Sequence, residues 1–142
     1  MPEIRPEYWV DDPGEVVRYY QDVLGFNKRY DVPGEGGKIV HAEIDFQGSN
    51  AIMIAIAQPG RGSVDAVIDK LNRVGPAARG AGVLLYIDIG DMDIDKYYAD
   101  VVAKGAKIIE PLQDQFFGDR TFRMEDPFGY VLTFARRMAE RH

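Results

Sequence analysis

The stretch Val10-Asp11-Asp12-Pro13-Gly14-Glu15-Val16-Val17-Arg18-Tyr19-Tyr20-Gln21-Asp22-Val23-Leu24-Gly25-Phe26 reads as a strand end, a helix and a helix stop in direct succession. An acidic side chain just before a proline suits a helix start. Its carboxylate accepts from the free N–H groups of the first turn, and proline's fixed φ belongs at the first helical position. Val16, Val17, Tyr20, Val23 and Leu24 recur at helical spacing and make one face apolar. Gly25 then stands where the chain has to leave the helix.

Outward from this segment, β-branched and aromatic runs predict strands over Ile4 to Val10, Phe26 to Val32, Lys38 to Phe46 and Ala51 to Ala57. Pro33-Gly34-Glu35-Gly36-Gly37 and Gln47-Gly48-Ser49-Asn50 supply the turns between the later ones. The order is β-α-β-β-β. It then returns. Val83 to Ile89 predicts a strand, Asp91-Met92-Asp93 a helix start, and Tyr97, Val101 and Val102 an apolar stripe ended by Gly105. Further strands are expected over Lys107 to Leu112, Arg120 to Met124 and Tyr130 to Ala135.

The two halves match by position. Val10, Asp12 and Tyr19 correspond to Ile89, Asp91 and Tyr98, each 79 residues on. Gly25 corresponds to Gly105 at a distance of 80, and Gly48 to Gly129 at 81. Pairs kept in one order mark an internal duplication. The fold class expected is α+β, two βαβββ repeats in a single domain over 1–142. Repeat one covers 4–57, a connector 58–82 and repeat two 83–136. Val64, Val67, Ile68 and Leu71 after Ser63 predict a short helix inside the connector.

Composition narrows the function classes. With 142 residues, 46% hydrophobic and 28% charged, the chain has the profile of a soluble globular domain with a sizeable core. It contains no cysteine, which excludes disulfides and thiolate metal sites. A net charge of −6 repels phosphate backbones, so nucleic acid is an unexpected partner. No apolar run is long enough to span a membrane, and Met1-Pro2-Glu3-Ile4-Arg5 does not read as a signal peptide. A cytoplasmic protein is the expectation.

Four segments carry a family resemblance: Pro6 to Asp12 with Tyr19-Tyr20 and Leu24-Gly25-Phe26; His41-Ala42-Glu43-Ile44 with Ile52-Met53-Ile54; Asp91-Met92-Asp93 to Gly105-Ala106; and Phe117-Gly118-Asp119-Arg120 with Asp126-Pro127-Phe128-Gly129. In order and spacing they resemble the vicinal-oxygen-chelate superfamily of glyoxalases, bleomycin-resistance proteins and extradiol dioxygenases, most of all its PhnB-like members. The resemblance implies curved mixed sheets, each a half-barrel with its helix on the convex side, and a concave cleft. It also implies a homodimer whose chains complete each other's clefts.

Metal-using members of that family draw ligands from the first and fourth strands of each unit. The matching histidine positions here fall at about Arg5 and Leu84, and the final-strand acid position at Thr133. Ala51 to Ala57 contains no acid or imidazole. Arginine stays cationic, leucine has no lone pair, and a hydroxyl alone grips an ion weakly. No metal and no other cofactor is therefore expected. The alternative is a divalent ion in an unconventional site around His41 and Glu43, which share one face of a strand with Asp45. On the plainer reading these three form the wet face of an amphipathic strand, with Ala42, Ile44 and Phe46 inward.

Candidate ligand-binding residues are Tyr8, Trp9, His41, Glu43, Phe117, Arg120, Phe122 and Tyr130. Aromatic walls with a few polar groups are the usual makeup of a small-molecule site, and a cationic ring system can stack on Trp9. The competing reading places most of these aromatics in the core. Arg120 can fork onto a ligand carboxylate or, structurally, pair with Asp119 or Asp126. No nucleophile elbow or phosphate-cradling loop is present. The expected function is metal-free binding or sequestration of a small organic, cationic aromatic molecule. The alternative is a metal-dependent lyase, isomerase or dioxygenase.

Overall fold

The computed structural model describes residues 3–58, 69, 73 and 75–138, which build two units divided between Arg79 and Gly80. The connector helix expected at Ser63 to Leu71 lies outside the described residues. In the first unit β1 (Glu7–Val10), α1 (Pro13–Asp22), β2 (Asn27–Pro33), β3 (Ile39–Phe46) and β4 (Ser49–Ile56) follow the predicted order. In the second the series is β5 (Leu85–Asp88), α2 (Ile94–Ala103), β6 (Lys107–Asp114), β7 (Asp119–Glu125) and β8 (Val131–Arg137).

Each unit is one four-stranded mixed sheet, β1-β4-β3-β2 and β5-β8-β7-β6. The first strand runs parallel to the last, and the other pairings are antiparallel. Each sheet is open with two edge strands, where the resemblance implied curling into half-barrels. Corresponding ladders repeat: Trp9 faces Ala55 as Asp88 faces Ala135, and His41 faces Ala55 as Thr121 faces Ala135.

The helices start as the sequence implies. The Asp12 side chain accepts from the Glu15 N–H, and the Asp93 side chain from the Lys96 N–H. Both helices are followed by glycines at positive φ, Gly25 at 77° and Gly105 at 90°, a conformation that only glycine adopts without strain. The β3–β4 hairpin is tighter than expected. Gln47 and Gly48 alone form it, both at positive φ, while Ser49 and Asn50 already belong to β4.

One face of each sheet is sealed by its helix. Tyr8, Val10, Ala42, Ile44, Phe46, Ile52 and Ile54 are buried with Val16, Val17 and Tyr20 of α1. Phe26 links them, its ring 5.0 Å from both Tyr20 and Phe46. In the second unit Ile87, Phe122, Met124, Leu132 and Phe134 are buried with Ile94, Tyr97 and Val101 of α2. Each such side chain contributes about 1.5–3 kcal/mol by leaving water.

Candidate functional site

On the face of the first sheet turned away from α1, strand alternation and register set out two rows. Trp9, Ala55, His41 and Val32 form one, running across β1, β4, β3 and β2. Glu7, Met53, Glu43 and Tyr30 form the next. His41, Glu43 and Asp45 thus share one face, as their alternation required. His41 is half-buried, and its Nε2 lies 3.3 Å from the Tyr30 hydroxyl.

Glu43 and Asp45 are not wet. They are 5% and 6% exposed, and arginines cover them. Arg29 reaches both, with Nε 2.7 Å from Asp45 and Nη1 3.3 Å from Glu43, and Arg5 adds an ion pair to Glu43 at 3.6 Å. The register shift between Lys28 and Tyr30 brackets Arg29 in β2. Burial works to raise the pKa of Asp45. Hydrogen bonds from Arg29, Asn27 and the Gly48 N–H outweigh it and hold the carboxylate below its ordinary value. The hydrogen bond to Asp45 likewise raises the pKa of Arg29, against desolvation.

Beyond the first row, past the ends of β1 and β4, lies a pocket of about 840 Å³. Val32, Pro33, Val40, Ile56 and Ala57 give it apolar walls, and Asp11, Glu35 and Lys38 charge its rim. Asp11 and Ala57 follow Trp9 and Ala55 by two residues, so row and pocket adjoin along one face. Asp11 is tied by Arg79 at 2.9 Å.

The sequence expectations divide. Trp9, His41 and Glu43 lie on one face, Trp9 and His41 half-buried. Tyr8 lies instead in the core beneath α1, 6.2 Å from Tyr20, and Phe122 beneath α2 against Tyr97, Tyr98 and Phe134. Both are bulky apolar residues on the helix-facing side of their strands, which needs filling. Arg120 pairs with Asp95 of α2 at 2.9 Å and Asp114 at 3.1 Å, not with Asp119 or Asp126. These hydrogen bonds raise its pKa further. Phe117 is exposed in the β6–β7 loop, and Tyr130 follows a turn in which Asp126 accepts from the Phe128 and Tyr130 N–H groups. Tyr30, Arg29 and Ala55 were missed. Ala55 was detectable from alternation within β4, whereas Arg29 depends on a bulge with no local signature.

The family's metal does not fit this donor set. Thr133 is buried and its hydroxyl accepts from Arg123 Nε at 2.9 Å, Met53 is at the corresponding place on β4, and Arg5 pairs with Glu43. Among the described residues no group of three or more His, Cys, Asp or Glu stands where it could hold a metal ion. The carboxylates nearest His41 already face guanidinium groups.

Residues 5–134 match the model of the Glyoxalase/Bleomycin resistance protein/Dioxygenase superfamily. The chain belongs to this superfamily. A Mycobacterium bovis protein, Mb0911c, is 24% identical over 98% of this chain and 86% of its own. TioX from Micromonospora sp. ML1 superposes with a TM-score of 0.68 at 23% identity, covering 99% of this chain and all of its own. TnmS3 from Streptomyces sp. CB03234, an antibiotic binding protein, superposes at 0.61 with 18% identity, over 96% of this chain and 97% of its own. At these identities the superpositions establish the fold.

Proposed function

We propose that this superfamily member, of the PhnB-like kind, binds and sequesters a small organic molecule with a flat cationic aromatic part, without a metal. The observation that carries the reading is the pocket of about 840 Å³ adjoining the Trp9–His41 row. Its size falls within the roughly 300–1,000 Å³ typical of small-molecule sites, and its apolar walls with a charged rim match their makeup. Glu35 and Lys38 charge that rim beside Asp11, whose carboxylate Arg79 already pairs. The antibiotic binding of TnmS3, on the same fold, supports a small organic ligand. A cytoplasmic homodimer that engages neither nucleic acid nor membrane completes the reading.

Trp9 is the only tryptophan and reports directly on this face. Titration with a panel of cationic aromatic drugs is expected to quench its fluorescence saturably for at least one member. A flat response across the panel overturns the proposal. So does stoichiometric zinc, nickel, manganese or iron held through His41 in the purified protein, which restores the metal-dependent alternative.

A further inference from the structure

The duplication supplies an internal comparison. The pocket of the first unit is lined by Ala57, two residues beyond Ala55. At the equivalent place in the second unit, two residues beyond Ala135, stands Arg137. By the same register Ile39 of β3 corresponds to Asp119 of β7, and Glu7 of β1 to Tyr86 of β5. Tyr86, Asp119 and Arg137 each stand an odd number of residues from a core side chain of their own strand, Ile87, Phe122 and Phe134. All three therefore point away from α2, onto the helix-free face of the second sheet.

There they bond to one another. The Tyr86 hydroxyl donates to Asp119 Oδ2 at 2.5 Å, and Arg137 Nη1 donates to Oδ1 at 2.7 Å and to the Phe117 carbonyl at 3.0 Å. β8 lies between β5 and β7, so the phenol spans β8 to reach its acceptor. Tyr86 is opposite Thr133 and Asp119 is opposite Arg137, which takes the ring over the buried Ala135 halfway between. A methyl group at that point leaves the ring its room. Asp119 is 3% exposed, yet Tyr86 is 48% exposed. Burial alone therefore does not hold the ring, and the charge-assisted hydrogen bond anchors its tip. If the ring swings out, Asp119 stays paired with Arg137, so no buried charge is stranded. Oδ2 is then open to another donor.

From this arrangement we infer that Tyr86 is a displaceable plug. It shuts the helix-free face of the second sheet, which admits a hydrogen-bond-donating aromatic molecule, a phenol, only where the Tyr86 ring has left. The inference concerns the second unit and goes beyond the sequestration proposed from the first.

The test uses p-cresol, the tyrosine side chain as a free molecule, in calorimetry and thermal melting. Tyr86→Ala is expected to bind it about tenfold or more tighter than the unaltered chain, with a rise in melting temperature that the unaltered chain lacks. Toluene has the same shape without the donor, and is expected to bind Tyr86→Ala several-fold more weakly than p-cresol. Tyr86→Phe keeps the ring but loses the anchor, and is expected to bind p-cresol several-fold tighter than the unaltered chain. Binding by the first unit is common to all three chains and cancels. Equal p-cresol affinity in Tyr86→Ala and the unaltered chain overturns the plug, and toluene binding as tightly as p-cresol overturns the role of Asp119. Should Tyr86→Ala not fold, Tyr86→Phe decides, and an affinity equal to that of the unaltered chain overturns the plug. Each of these failures leaves sequestration, read through Trp9, standing.

Discussion

Among single residues, Asp45 is the most informative. Its lowered pKa means that it binds fewer protons folded than unfolded. The stability it contributes is therefore complete above its ordinary value of 3.8 and is lost as pH falls through the folded value. Asp45→Asn is expected to cost about 1–3 kcal/mol at neutral pH and to flatten this acid dependence, measured by urea unfolding from about pH 5 to about pH 2. Gly80 offers a steric counterpart. A methyl group there would meet the Gly129 carbonyl oxygen at 2.6 Å and the Tyr130 ring at 2.8 Å. Gly80→Ala is expected to destabilise by about 1–3 kcal/mol in the same assay. Alternation was enough to place His41, Glu43 and Asp45 on one face, with Ala42, Ile44 and Phe46 inward. It could not show that Glu43 and Asp45 are covered, because their cover comes from Arg29 on another strand.

For the elements, caps and stops carried the most weight in the sequence. Asp12 and Asp93 act through local hydrogen bonds, which neighbouring residues alone determine. Asp12→Ala and Asp93→Ala are each expected to lower stability by about 1 kcal/mol, read as a shift in denaturation midpoint without a change in slope. Strand limits were less legible. The Pro33 expected to break β2 ends it instead, and Pro111 lies inside β6. Both strands lie at sheet edges, where a missing N–H leaves one side of the ladder intact. The β3–β4 turn came out shorter than expected because positive φ at Gln47 was not readable from its side chain. For Tyr8 and Phe122, aromatic identity suggested a cleft wall, whereas the facing helix determined burial.

The duplication of the whole chain was legible because equivalent turns demand equivalent residues. Gly25 and Gly105, 80 apart, both adopt the left-handed conformation. The pocket was not legible, since Asp11, Val40 and Ala57 converge only once the strands have paired. Donor residues that do not suit an ion make one further expectation. Dialysis against a chelator is expected to leave both the melting temperature and the quenching of Trp9 unchanged, because no folding free energy comes from coordination.

The parallel pairing of β1 with β4 also constrains how the protein comes into being. Glu7 must wait for Met53, and Leu85 for Leu132, before their ladders can close. During synthesis the indole-bearing strand thus emerges before the other strands of its unit and is the last of them to find a neighbour. The row of Trp9, Ala55 and His41 is finished only when that strand docks. A chain caught before this moment would carry its helix and its antiparallel hairpins, yet have a sheet of three strands instead of four.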